Sequence, residues 1–109
     1  MATAYLCLGQ SAPAAATATT LYTVPASTSA VVSAINVCNT GGVADTIRIA
    51  IRPAGTSLTT SQYFAYNVPI ASGAFLTINA GITMATTDVI TIYSTNGISS
   101  FSAFGSQVS

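Results

Sequence analysis

The sequence predicts an all-β fold: an antiparallel β-sandwich or jelly-roll-like barrel of about seven or eight short strands, with an extended N-terminal arm. Three observations carry that prediction. From residue 20 onward the chain is a series of short runs rich in Val, Ile and Thr, each stopped within a few residues by Pro, Gly, Asn or Ser. Helical periodicity is nowhere sustained. The length, 109 residues, gives room for one core and not for two. The expected organisation is an arm and Ala/Thr-rich tether over residues 1–19, followed by a single sandwich domain over residues 20–109.

Thr3 to Leu8 reads as a short strand, and Gln10 to Thr20 as its tether, where Pro13 and the threonines at 17, 19 and 20 oppose a long helix. Such an arm either adds to the sheet edge of a neighbouring copy or folds back on its own domain. In the first case Tyr5, Leu6 and Leu8 are candidate partner contacts. Leu21 to Val24 is the first run of the domain, stopped by Pro25. Ala30 to Asn39 follows, with Val31, Ile35 and Val37 expected on one face and Val32, Ala34 and Cys38 on the other, so that both faces look covered. Asn39-Thr40-Gly41-Gly42 is a turn. From Asp45 to Arg52 three isoleucines alternate strictly with Thr46, Arg48, Ala50 and Arg52, the clearest two-faced strand in the chain.

Pro53 to Ser57 breaks that strand, and Leu58 to Ser61 continues as loop. Gln62 to Val68 is an aromatic strand ended by Pro69, with Tyr63 expected on one face and Phe64 and Tyr66 on the other. Ala74 to Asn79 is a further run, and Ile82 to Met84 a short edge segment. Asp88 to Ser94 is a strand followed by Asn96-Gly97, a pair favoured in type I′ hairpins, so that Ile98 to Phe104 is expected to return beside it.

Composition narrows the function. The chain has four formal charges, Asp45, Arg48, Arg52 and Asp88, with no Lys, Glu or His, so only 4% of it is charged where a soluble domain carries about 25%. A surface of Ser, Thr, Ala, Asn and Gly has little electrostatic repulsion to keep copies apart, which points to a subunit whose surface meets other subunits. Nucleophilic catalysis lacks a base to activate the many hydroxyls, so no enzyme is expected. Asp45 and Asp88 stand beside turns, where Asp bonds local backbone. Cys7 and Cys38 are isolated rather than spaced as metal ligands and read as two small buried hydrophobes, with a disulfide open but not readable from spacing. No cofactor or metal is expected. Two arginines provide no basic stripe for nucleic acid, and no run of 18 apolar residues spans a membrane. The first residues lack the basic region and apolar length of an export signal, so synthesis in the cytoplasm is the expectation.

Arg48 and Arg52 lie on one strand face and are the best polar candidates for a partner surface, the alternative being bonds within the subunit. Tyr63 and Tyr66 join them as aromatic candidates, packed in a core or interface, or stacking on a sugar.

Leu21-Tyr22-Thr23-Val24-Pro25, Ser29 to Ser33 and Val37-Cys38-Asn39, continued by Ile51-Arg52-Pro53-Ala54-Gly55, Tyr63-Phe64-Ala65-Tyr66 and Phe101-Ser102-Ala103-Phe104-Gly105, resemble small β-rich structural proteins of tailed-bacteriophage virions. The resemblance covers most of residues 20–109, with Asn67 where the pattern often has an acidic residue. It implies a virion component: a cement or decoration protein on the capsid surface, acting as a homotrimer that binds the major capsid protein. The other reading it allows is a small tail or tail-fibre module contacting tail proteins or a host glycan.

Overall fold

The computed structural model describes residues 3–79 and 81–109. Residues 1 and 2, the start of the predicted arm, and residue 80 lie outside the described residues. Among the described residues there are nine strands: β1 (Thr3–Ser11), β2 (Thr19–Thr23), β3 (Ser29–Asn39), β4 (Asp45–Arg52), β5 (Tyr63–Ile70), β6 (Phe75–Ile78), β7 (Ile82–Met84), β8 (Val89–Ser94) and β9 (Ser99–Val108). They form two antiparallel sheets packed as a β-sandwich, without closure into a barrel. The first sheet has the order β1-β9-β3-β6, with β7 also on β3, and the second the order β2-β8-β4-β5.

The long strand β3 holds the first sheet together. β7 pairs with its first half and β6 with its second, both antiparallel, while β9 runs along its other side. The register of β3 against β9 slips between Val32 and Ala34. This bulge reverses the side-chain phase, so the core receives Ala30 and Val32 before it, and Ile35, Val37 and Asn39 after it. The expected grouping of Val31 with Ile35 and Val37 is thereby corrected. Val31 points to the outer face, which is open, and one face of β3 is covered rather than two. Gly105 of β9 makes the bulge possible, because a Cβ there would fall on the Val31 carbonyl.

In the second sheet the alternation read for β4 holds: Ile47 and Ile49 are fully buried. Together with Val32, Ile35, Val37, Met84, Ile90, Ile92 and Phe101 they form the interior between the sheets. β8 is covered on both sides. Its inner residues Ile90 and Ile92 meet the core, and its outer residues Thr91 and Tyr93 stand in register with Ala50 and Arg48 of β4. β5 runs past Pro69 to Ile70 instead of ending before it. It is the edge strand, and a proline there removes no donor that the sheet needs.

The expected hairpin at Asn96-Gly97 is a corner instead. β8 belongs to the second sheet and β9 to the first, so the two strands do not pair. A type I′ turn needs positive φ at both central residues, and here Gly97 has it (φ 68°) while Asn96 does not. Gly97 also passes against the tether, where an added Cβ would lie 2.6 Å from the Ala15 nitrogen.

The N-terminal strand lies on β9 of its own chain, from Thr3 opposite Val108 to Ser11 opposite Phe101. The tether crosses to the second sheet with Pro13 buried, and the Ala16 N–H donates to the Ser94 carbonyl at 2.9 Å. β1 is left as an edge with no strand on its other side.

Candidate functional site

Two surfaces carry the sequence-derived candidates. On the outer face of the second sheet, β5 contains two register slips against β4: one between Ile47 and Ile49, the other between Ile49 and Ala50. Each adds a residue to β5, and the one between Ile49 and Ala50, which falls between Tyr63 and Ala65, brings Tyr63 to the same face as Tyr66. Their rings meet edge to face with centroids 5.0 Å apart. The strict alternation that separated these tyrosines is therefore corrected by that bulge. Phe64 remains partly exposed.

Arg48 lies across this face between two tyrosines. Its guanidinium carbon is 4.4 Å from the centroid of Tyr66 and 4.4 Å from that of Tyr93, a double cation–π contact. The Nε–H donates to Asn67 Oδ1 at 2.7 Å. Asn67 sits in the bulge opposite Ile47–Ile49 with φ 52°, a left-handed conformation that Asn tolerates better than most residues. Beside the stack a depression of about 270 Å³ is lined by Thr60, Tyr63 and Tyr66. Its wall at Thr60 is a short 3-10 turn, Thr60–Gln62, in which Gln62 Oε1 accepts the Thr59 N–H at 3.0 Å.

Arg52 faces the same way but is committed inside the subunit. Its Nε donates to the Thr56 carbonyl at 2.7 Å and a terminal nitrogen to the Gly55 carbonyl at 3.0 Å, fastening the turn after β4. Sequence reasoning placed Arg48, Tyr63 and Tyr66 but missed Tyr93 and Asn67. The signal for Tyr93 is the pairing of β8 with β4, a non-local register that spacing along the chain does not carry.

The second surface is the outer face of the first sheet. Across it run the rows Tyr5-Ser106-Val31-Thr83, Cys7-Phe104-Ala34, Gln10-Ser102-Asn36-Thr77 and Ser100-Cys38-Phe75. None of these residues is charged. Tyr5 is 86% exposed, Phe75 73%, and Val31 and Phe104 41% each. Leu6 is also exposed, on the opposite side of β1, whereas the slip between Cys7 and Gly9 leaves Leu8 packed against the core. The cysteines are free and face outward, Cys7 exposed and Cys38 partly so, which corrects their reading as buried hydrophobes. β9 runs between their strands, so two strand spacings of about 4.8 Å each hold them beyond disulfide reach.

The two carboxylates do not meet. They mark opposite ends of β8, about 20 Å of strand apart at ~3.3 Å per residue, well beyond the spacing of a hydrolytic pair. Asp88 accepts the N–H groups of Ala54 and Ala85, both at 2.9 Å, and ties two turns. Asp45 points inward, 2% exposed, and fastens the corner between the sheets. Oδ1 accepts the N–H groups of Thr46 and Asn96, and Oδ2 accepts the hydroxyls of Ser94 in β8 and Ser99 in β9. Burial alone would raise its pKa, but the bonds from Ser94, Ser99, Asn96 and Thr46 outweigh it and hold the carboxyl below its ordinary value. Among the described residues no three His, Cys, Asp or Glu side chains gather as a metal site would need.

Comparison with known proteins finds no match. No family model, no curated protein and no solved structure is similar to this chain.

Proposed function

We propose that this chain is a non-enzymatic structural subunit of a virion, a cement or decoration protein that self-associates and stabilises contacts between shell subunits. The observation that carries the reading is the first sheet, whose outer face and edge strand expose Tyr5, Leu6, Val31, Phe75 and Phe104 without a charged residue. Exposed apolar side chains grouped on one face mark an interaction surface more often than a solvated one. β1 adds a row of unpaired backbone donors and acceptors, and it lacks the charges and prolines with which solitary proteins guard such edges. The virion setting rests on the resemblance of residues 20–109 to small structural proteins of tailed phages, and the homotrimer and the major capsid protein as partner belong to the same reading.

Sedimentation of the pure chain at micromolar concentration tests the self-association, with Leu6→Lys as the edge-blocking variant. An oligomer that Leu6→Lys shifts toward the 10.9 kDa monomer, with the β-type circular dichroism unchanged, is the expected result. A wild-type chain that sediments only as a monomer refutes it. Antibody labelling of purified particles then locates the protein, and label confined to the tail overturns the cement reading.

A further inference from the structure

We infer that Arg48 and the tyrosine-lined depression beside it form a binding site for a carboxylated sugar ring of the uronic-acid type. The site lies on the second sheet and does not depend on the assembly reading, which uses the first.

Arg48 is preorganised for a carboxylate. Tyr66 and Tyr93 cover both faces of the guanidinium, and the Nε edge is tied to Asn67. Among the described residues the terminal nitrogens have no protein acceptor, so a rigid pair of donors is presented outward in the geometry that matches two carboxylate oxygens. The charge is also unbalanced locally. Asn67 is a neutral acceptor, Asp45 points to the core from the other face of β4, and Asp88 is engaged by the turns at Ala54 and Ala85. Arg52, the other cation of the face, has each of its three nitrogens engaged within the subunit, by Thr56, Thr91 and Gly55.

The depression supplies the rest of the recognition. At about 270 Å³ it falls just below the size of ordinary small-molecule pockets, which suits a single ring. Its lining, mostly apolar, comes from two aromatic residues and a threonine, Tyr63, Tyr66 and Thr60, side chains that each also carry a hydroxyl. That mixture matches a pyranose, which has an apolar C–H face and a rim of hydroxyls. The slip of β5 opposite Arg48 and the left-handed Asn67 lie directly beside the guanidinium, and local backbone strain of this kind collects at functional positions.

The test titrates the full-length chain with methyl glucuronide, methyl glucoside and acetate, following the Arg48 Nε–H and the tyrosine ring signals by NMR. Methyl glucuronide is expected to shift the Arg48, Tyr63 and Tyr66 signals with Kd on the order of 1 mM. Methyl glucoside and acetate, each offering half of the recognition, should bind at least about tenfold more weakly. Asn67→Asp places a competing carboxylate against the guanidinium and should abolish the response while leaving the fold intact. Tyr63→Ala should weaken it by about tenfold, and Arg48→Lys likewise, because an ammonium lacks the two-pronged geometry. Acetate binding as tightly as the glucuronide would reduce the site to an ion pair and overturn the sugar assignment. Equal binding of the glucoside would overturn the role of Arg48, and no shift at about 50 mM glucuronide would overturn the site itself.

Discussion

Replacing Asp45 by Asn should cost about 2 kcal/mol at pH 7, and the cost should shrink in acid. Four donors converge on this carboxylate, from Thr46, Asn96, Ser94 and Ser99. Losing the charge roughly halves the strength of each bond, about 1 kcal/mol apiece, for a gross loss of about 4 kcal/mol. Removing a buried ion returns about half of that, because its desolvation is no longer incurred. The amide keeps one oxygen for the two backbone N–H groups, and its nitrogen now faces two hydroxyls that can turn to accept. Asp45→Ala should cost more, about 4 kcal/mol, since both N–H groups are left without a partner. The pH dependence follows from the sign of the shift. The folded pKa is depressed, so the stabilisation is complete above the unfolded value, about 3.9, and is lost as the pH falls through the folded value. Urea unfolding of wild type and Asp45→Asn from pH 7 down to pH 2 measures the gap. A gap of less than about 0.5 kcal/mol at pH 7, or one that does not narrow toward pH 2, would refute the view that an ionised Asp45 fastens the corner.

Three further outcomes are expected. Ile49→Asp buries an unpaired carboxylate in the sandwich and should remove about 4 kcal/mol or unfold the chain, whereas Thr46→Ala should cost under about 1 kcal/mol; thermal melts distinguish them, and equal tolerance would mean that β4 is phased wrongly. Gly105→Ala pushes a methyl into the Val31 carbonyl and should cost about 3 kcal/mol, read as faster amide exchange along β9 and β3 than elsewhere; an unperturbed exchange pattern would show that the bulge can relax. Self-association through the uncharged first sheet should change by less than about threefold between pH 5 and 9, or between low salt and about 1 M; dissociation on adding salt would show that the arginine face carries the contact instead.

Much of the strand content was legible because alternation and turn residues act locally. Ile47, Ile49 and Ile51 alternate with polar or small residues over a stretch with no slip against β8, so the face assignment of Ile47 and Ile49 needed no partner. Where a bulge intervenes the same reasoning inverts. One extra residue at Ser33 moved Val31 out of the group containing Ile35 and Val37, and one slip in β5 between Tyr63 and Ala65 reunited Tyr63 with Tyr66. The hairpin expected from Asn96-Gly97 failed for a related reason. The dipeptide favours a turn, but the carboxylate of Asp45, about fifty residues earlier, takes the Asn96 N–H and both flanking serine hydroxyls and turns the chain between sheets.

The sequence by itself determined an all-β chain with a nearly charge-free surface, since both follow from which side chains are present and how they alternate. It also singled out Arg48 and Arg52 on one face, because side chains four residues apart, two full strand periods, share a side where the strand is unbulged. Only the tertiary structure decided that these two arginines differ. Arg52 ends where the chain turns back on itself, and its Nε and one terminal nitrogen are tied to the carbonyls of that turn. Arg48 lies mid-strand, where the pairing of β4 with β8 and the slipped register of β5 deliver Tyr93 and Tyr66 to its two faces and leave its terminal donors turned outward. Which strands become neighbours is set by long-range burial of the isoleucine faces, and no local pattern in the chain encodes it.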